Sequence, residues 1–418
     1  MSKKNQTTTQ PATNKRFFQK SASTLEFYDA SAMFIVQFVL QYMLQLVMMI
    51  LGFMIIADSF GVSMTTEDGY QFVTEKFSLF TASTGGIILI TFINESTMIL
   101  SPLAYWKVKS FNVFKDLGFK RKINGRQIAM TFPIAATLLA GFMPIATLFV
   151  ALVQKTGYHY SGADITVDSF PKLLLYLVFV SAIPAVCEEI LHRGIIARSA
   201  RKFSYFIGVI LSSTLFAFMH GSPIQLVHQF FVGVVCSLVY YMSGSIWISA
   251  LTHFFNNAIT LIAGYIVYAA TGASDFAMPW WAMLIMCVIG LVGLFFSLWG
   301  MYKICYAKRK KEDASLNLDE QNQEGEVIHI GKKKFLKAFN EKMDYLFTSP
   351  EQIAQKKADA AKLDEQLGEY SEEKKEVYQS LRQEDEVNIK KKNSRGVIFS
   401  LVIVLAIWLI NTISGYIS

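Results

Sequence analysis

Charge is what this sequence has little of. Only 17% of its 418 residues are Asp, Glu, Lys or Arg, while 53% are hydrophobic. A soluble domain carries about a quarter of its residues as charges. The two or three soluble domains that this length would otherwise allow are therefore excluded for most of the chain. Cysteine is scarce as well. The four present, Cys187, Cys236, Cys287 and Cys305, lie in or at the end of apolar runs and form no C-x-x-C pair. That argues against a disulfide framework and against a zinc knuckle. A cleavable signal peptide is not expected either: the first 26 residues are polar and too long for an n-region, and the run that follows exceeds an h-region.

What is abundant is long apolar sequence. A helix needs about 20 mainly apolar residues to cross about 30 Å of hydrocarbon. Such runs fall near 30–56, 80–105, 127–153, 172–196, 204–220, 224–242, 245–270, 280–304 and 397–416. The fifth and sixth are short and close together. The expected fold is an all-α, polytopic transmembrane helix bundle of about eight core spans plus a C-terminal span, with a charged helical cytoplasmic insert.

The few charges orient the spans. Lys3, Lys4, Lys15, Arg16 and Lys20 precede the first run. Lys107, Lys109, Lys115, Lys120, Arg121, Lys122 and Arg126 follow the second, Arg198, Arg201 and Lys202 the fourth, and Lys308–Lys311 the eighth. The alternate loops, 57–78, 154–170 and 271–279, hold almost no basic residues. All clusters share one side if the N-terminus is cytoplasmic. The formal charge of +7 thus reads as topology and contact with anionic lipid, not nucleic acid. The expected location is the cell membrane, multi-pass, with the lipid bilayer and a membrane-associated protein or peptide substrate as partners.

The organisation that follows is a polar tail over 1–26, N-terminal spans over 27–170, a chemistry-bearing core over 171–270, an eighth span over 271–307, a cytoplasmic insert over 308–395 and a C-terminal helix over 396–418. In the insert, Phe335, Phe339, Met343 and Leu346 recur at helical spacing beside Lys332, Lys333, Lys334 and Lys337. The pattern suits a helix lying on the membrane surface and one packed under the bundle equally well. Ser349-Pro350-Glu351 opens a further helix, mostly charged, with Ile353, Ala360, Leu363 and Leu367 as a thin apolar seam.

An ionisable group inside a span is costly, so each is a functional candidate. The fourth run holds Glu188-Glu189-Ile190-Leu191-His192-Arg193. Glu189 and Arg193 are four apart on one helical face and can pair. Glu188 points about 100° away, free to face a cavity. The plainer alternative is a structural knot of all three ions. The fifth run ends Phe216-Ala217-Phe218-Met219-His220, and the seventh holds His253 with Asn257 one turn on. A carboxylate, two imidazoles and an amide form a hydrolytic set: a base for water, a histidine to position it and an N–H for the oxyanion. Glu and His side chains can equally hold a catalytic zinc with an open position. One divalent metal on Glu188, His220 and His253 therefore stays open. Asn94 and Glu95 in the second run either line the same cavity or only join a polar contact between helices, the contact being the favoured reading, and His228 is expected to be core.

The order E-E-x-x-x-R, F-x-x-x-H, H-x-x-x-N on successive apolar helices, across roughly 172–262, resembles the CPBP (CAAX protease and bacteriocin-processing) family of intramembrane proteases, which includes the type II CAAX prenyl endopeptidases and bacteriocin-immunity proteins. The resemblance implies that Glu188 activates water with help from His220, that His253 and Asn257 hold the oxyanion, and that Glu189 and Arg193 support the site. His192 departs from the pattern, standing where the family commonly has an aromatic residue. The function expected is peptide-bond hydrolysis within the bilayer. The alternatives are a proton-coupled transporter, or a non-catalytic immunity or scaffold protein. For His220 to meet Glu188, its helix must be short or start deep, and the turn Gly221-Ser222-Pro223 would then sit at membrane depth.

Overall fold

The structure is a computed structural model that describes residues 27–109, 117–158, 165–273, 278–315 and 334–350, with Leu25 and isolated positions beyond 351. The polar tail before Leu25, nearly all of the charged linker helix after Pro350 and part of the C-terminal span fall outside the described residues.

Among the described residues the chain is helical throughout and contains no strand. In chain order the helices are α1 (Phe27–Phe60), α2 (Glu67–Ala82), α3 (Thr84–Lys109), α4 (Gly125–Gln154), α5 (Phe170–Ala200), α6 (Tyr205–Met219), α7 (Leu226–Ser243), α8 (Ile246–Thr271), α9 (Trp280–Ser315) and α10 (Lys334–Phe347). Seven of them are long and apolar enough to cross a membrane. The polytopic helical bundle expected from the apolar runs is what the chain forms.

One element differs from the expectation, and another meets it. The loop at 57–78 contains α2, a 16-residue helix started by Thr66, whose side chain accepts from Gly69 N–H. It is amphipathic and carries four charges, so a search for apolar runs passes over it. The fifth run becomes α6, only 15 residues and therefore about 22 Å long. Its far end is buried in the protein: His220 is followed by Gly221 at φ 66, a backbone state in which glycine has no Cβ penalty. Ser222 and Pro223 are then buried, and α7 runs back along α6. A turn inside a membrane protein is tolerated only where it is buried or wet. This one meets both conditions, because Gly221 lines a cavity.

Helix α5 is the hub: α1, α3, α6 and α8 all pack on it. It is not a uniform helix. π-helical stretches, Leu177–Ala182 and Ile190–Ala197, flank one α-helical segment, Ile183–Glu189. The first lies just before Pro184, where a missing N–H would interrupt an α-helix, and Ile183 N–H bonds five residues back to Val178. Wide turns of this kind are rare and concentrate at functional sites. Here they bracket the two glutamates.

A second seam joins α4 to α9. Gly290 lies so close to α4 that a Cβ on it would overlap the backbone of Ala140 and Gly141. Small residues permit this backbone approach where lipid supplies no hydrophobic drive. Gly290→Leu is expected to force the helices apart at about 1–3 kcal/mol, lowering the melting temperature of the purified chain. Gly264→Ala, where a Cβ meets open space, is the control and should melt with wild type.

Helix α10 packs against α6, α7 and α9. Phe347, 6% exposed, lies under the guanidinium groups of Arg201 (4.7 Å) and Arg198 (5.5 Å). Tyr205 Oη donates to Asp344 at 2.8 Å and Ser204 Oγ to Asn340 at 3.0 Å. Of the two placements its sequence allowed, α10 takes the one beneath the bundle. Phe335, at its start, remains exposed.

Candidate active site

Glu188 and Glu189 are adjacent, yet the helix turns them into different surroundings. Glu189 is fully buried and every oxygen it has is engaged. Its Oε1 faces Arg193 Nη1 at 2.8 Å and His253 Nδ1 at 3.2 Å, and its Oε2 accepts from Ser249 Oγ at 2.5 Å. Arg193, also fully buried, spends a second nitrogen on the carbonyl of Gly233 at 3.1 Å. The i, i+4 pair expected from the sequence is thus present, with Ser249 and His253 added to it.

Glu188 is held by none of this. Its Oε2 has no hydrogen-bond partner and lies 3.7 Å from His253 Nε2, beyond a direct hydrogen bond. It lines a cavity of about 380 Å³, large enough for several waters. Gln41, Tyr42 and Gln45 of α1 close one wall, Asn94, Glu95 and Met98 of α3 a second, and Met219, His220 and Gly221 the third.

His253 therefore stands between the two glutamates, with Nδ1 toward Glu189 and Nε2 toward Glu188. His220 is oriented from its own helix. Its Nδ1 lies 2.8 Å from Phe216 O, and a carbonyl only accepts, so Nδ1 carries the proton and Nε2 is the free nitrogen. Asn257 stands one turn beyond His253, and its Oδ1 accepts from Asn256 Nδ2 at 3.1 Å, which leaves its own NH₂ to donate. It is not among the residues lining the cavity.

Two residues gain a place the sequence reading did not give them, and a third takes the place it favoured less. Phe216, fully buried, has its ring 5.0 Å from His220, 5.6 Å from His253 and 4.8 Å from the Arg193 guanidinium. It braces both imidazoles, and its F-x-x-x-H spacing was the available signal. Ser249, four residues before His253, was findable by the same i, i+4 rule. Glu95 comes from 93 positions earlier in the chain, and no local spacing marks it. Of the two readings open for Asn94 and Glu95, the favoured one, an interhelical contact alone, is corrected, and the alternative of cavity lining is what the structure has. Asn94 does accept from Gln45 Nε2 at 2.9 Å, but both residues also face the cavity.

His192 does what an aromatic residue would. Its ring packs 5.1 Å from Phe216 and 6.3 Å from Phe34, and its Nε2 lies 3.3 Å from Met219 Sδ. It is fully buried and away from the cavity lining. His228 leaves Nδ1 without a partner and does not line the cavity.

The metal option left open by the sequence was tested on these positions. Among the described residues, no three His, Cys, Asp or Glu side chains gather as a metal ion requires. This arrangement does not fit a zinc set of Glu188, His220 and His253.

Residues 170–259 match a family model described as Rce1-like, type II CAAX prenyl endopeptidase Rce1-like. The matched stretch runs from the start of α5 to the middle of α8, and it contains Glu188, Glu189, Arg193, His220, His253 and Asn257. No curated protein and no solved structure matches the chain.

Proposed function

We propose, from the premise that residues 170–259 belong to the Rce1-like CAAX-protease family, that the chain is an intramembrane endopeptidase using a water activated by Glu188. The observation that carries this reading is the contrast between neighbouring glutamates. Glu189 is fully paired, whereas Glu188 presents a free oxygen to a polar cavity opposite His220.

In this reading a water in the cavity lies between Glu188 and His220. Glu188 takes its proton, and His220 Nε2 accepts the other hydrogen and fixes the direction of attack. His253 and the free NH₂ of Asn257 stabilise the oxyanion. Glu189 holds His253 from behind through Nδ1, so a protonated His253 turns Nε2–H toward the reacting carbonyl. The leaving amine recovers its proton from Glu188. Arg193 offsets the charge of Glu189, and Phe216 keeps both imidazoles in place. No step passes through a metal.

The substrate class is a peptide bond in a membrane-associated protein or peptide. Prenylated CAAX proteins, leader peptides and bacteriocins all fit that description. The basic clusters support a cytoplasmic N-terminus, which places α10 on the cytoplasmic side.

The test is a comparison of peptide termini in membranes of cells carrying wild type or Glu188→Ala. Fragments that appear with wild type and are lost in the variant, at equal protein level, are expected. Identical terminus sets would remove the proposal.

A further inference from the structure

We propose that Glu95 is a second acid of the reaction, sharing one proton with Glu188 so that the two carboxyl groups act as a single base and acid. The inference rests on the proposed hydrolysis at Glu188 and concerns how its proton is managed.

Geometry carries it. Glu95, 6% exposed on α3, and Glu188, 7% exposed on α5, line one cavity where α3 packs on the Ile183–Glu189 segment of α5. Oε2 of each is without a hydrogen-bond partner. Two bare carboxylates in contact repel, and a proton between them turns repulsion into a hydrogen bond. No cation neutralises Glu95 directly among the described residues: Gln41, Gln45 and Asn94 around the cavity are neutral amides, and Tyr42 and Met98 complete that wall. The charged or titratable groups whose fields reach the pair are His253, Glu189, Arg193 and Cys187 from α5 and α8, and His220 lines the cavity from the end of α6. Arg193 is already committed to Glu189.

The proton count closes. The resting pair holds one proton and one negative charge. It takes a proton from water, and the hydroxide adds to the carbonyl carbon. The pair, now neutral, gives one proton to the amide nitrogen as the C–N bond breaks. The products are a carboxylic acid and an amine, and the pair is back to one proton. Glu95 thereby keeps a donor beside Glu188 at the moment the leaving nitrogen needs one. Like-charge pairs of this kind titrate as a unit.

The readout is the rate of release of the Glu188-dependent fragments in isolated membrane vesicles across pH 5 to 10, for wild type and Glu95→Gln. The amide keeps the shape of the acid and cannot lose a shared proton. Near neutral pH the variant should release fragments at least about tenfold more slowly. The wild-type pair loses its proton as pH rises while the variant has none to lose, so the ratio of variant to wild-type rate should climb about tenfold across the alkaline range. Titration of His220, His253 and Cys187 affects both forms and cancels in that ratio. A ratio that stays flat with pH overturns the shared proton and leaves Glu95 a packing role. If Glu95→Gln does not accumulate, Glu95→Asp supplies the reading. It keeps the acid but withdraws it by one methylene and so weakens the shared hydrogen bond; a slowed rate whose ratio to wild type changes across the alkaline range supports the pair, and a wild-type rate or a flat ratio overturns it. The two claims separate cleanly: a silent Glu188→Ala with a flat Glu95→Gln ratio removes only the pair, and membranes with no Glu188-dependent fragment remove both.

Discussion

Glu188→Gln is expected to reduce fragment release by about 10³-fold while the protein inserts and melts as wild type does. The reasoning starts from what Glu188 lacks. Its Oε2 makes no hydrogen bond and His253 Nε2 is 3.7 Å away, so no close ion pair ties the fold to its charge. The Glu95–Glu188 pair keeps one negative charge buried without a close cation, which costs stability, and the amide of the same shape leaves Glu95 to hold its own proton and relieves that cost. The variant should therefore be at least as stable as the parent. Its chemistry should fail, because an amide cannot accept the water's proton. Fragment yield and thermal unfolding, measured on the same preparation, check both halves. Retention of more than a tenth of wild-type cleavage would mean that Glu188 is not the base.

Arg193→Met should do the reverse, with stability as the first loss. Arg193 is fully buried, 2.8 Å from Glu189 Oε1, bonded to Gly233 O and stacked on Phe216. Removing one partner of a buried pair leaves an uncompensated charge, at a cost of about 3–5 kcal/mol. The double variant Glu189→Gln/Arg193→Met removes both charges and should recover most of that loss, since replacing a whole buried pair is often close to neutral. Activity should not return with it, because His253 Nδ1 has lost the carboxylate that holds its ring. Denaturant unfolding of the parent, single and double variants decides the matter. A single variant as stable as the parent would show that the pair is not what holds α5, α7 and α8 together. The two predictions thus assign opposite roles to neighbouring glutamates.

Much of this site was legible in the sequence because its parts are local. Glu189 and Arg193, His253 and Asn257, and Phe216 and His220 are each four residues apart, one helical turn, so a spacing rule finds them. The scarcity of charge made every ionisable residue in an apolar run conspicuous. The shortness of α6 followed from requiring His220 to reach Glu188, and its 15 residues with a buried turn meet that requirement. Other features had no local signature. Glu95 meets Glu188 only because α3 packs on the middle of α5, a contact that no spacing within either helix encodes. The π-helical stretches around Ile183–Glu189 depend on tertiary packing and on Pro184, of which the sequence displays only the proline. Helix α2 escaped because its 16 residues are amphipathic where a search for spans looks for apolar ones.

The central claim is that Glu188, His220 and His253 address a single reacting carbon. A phosphinate that mimics the hydrated peptide bond, built on a cleavage site found in the terminus comparison, gives the most direct view of it when bound to the purified chain and imaged at side-chain resolution. One phosphinate oxygen should lie against Glu188 with His220 beside it, and the other should point to His253 Nε2. An inhibitor bound elsewhere, or one seated in the cavity with His253 turned away from it, would contradict the account.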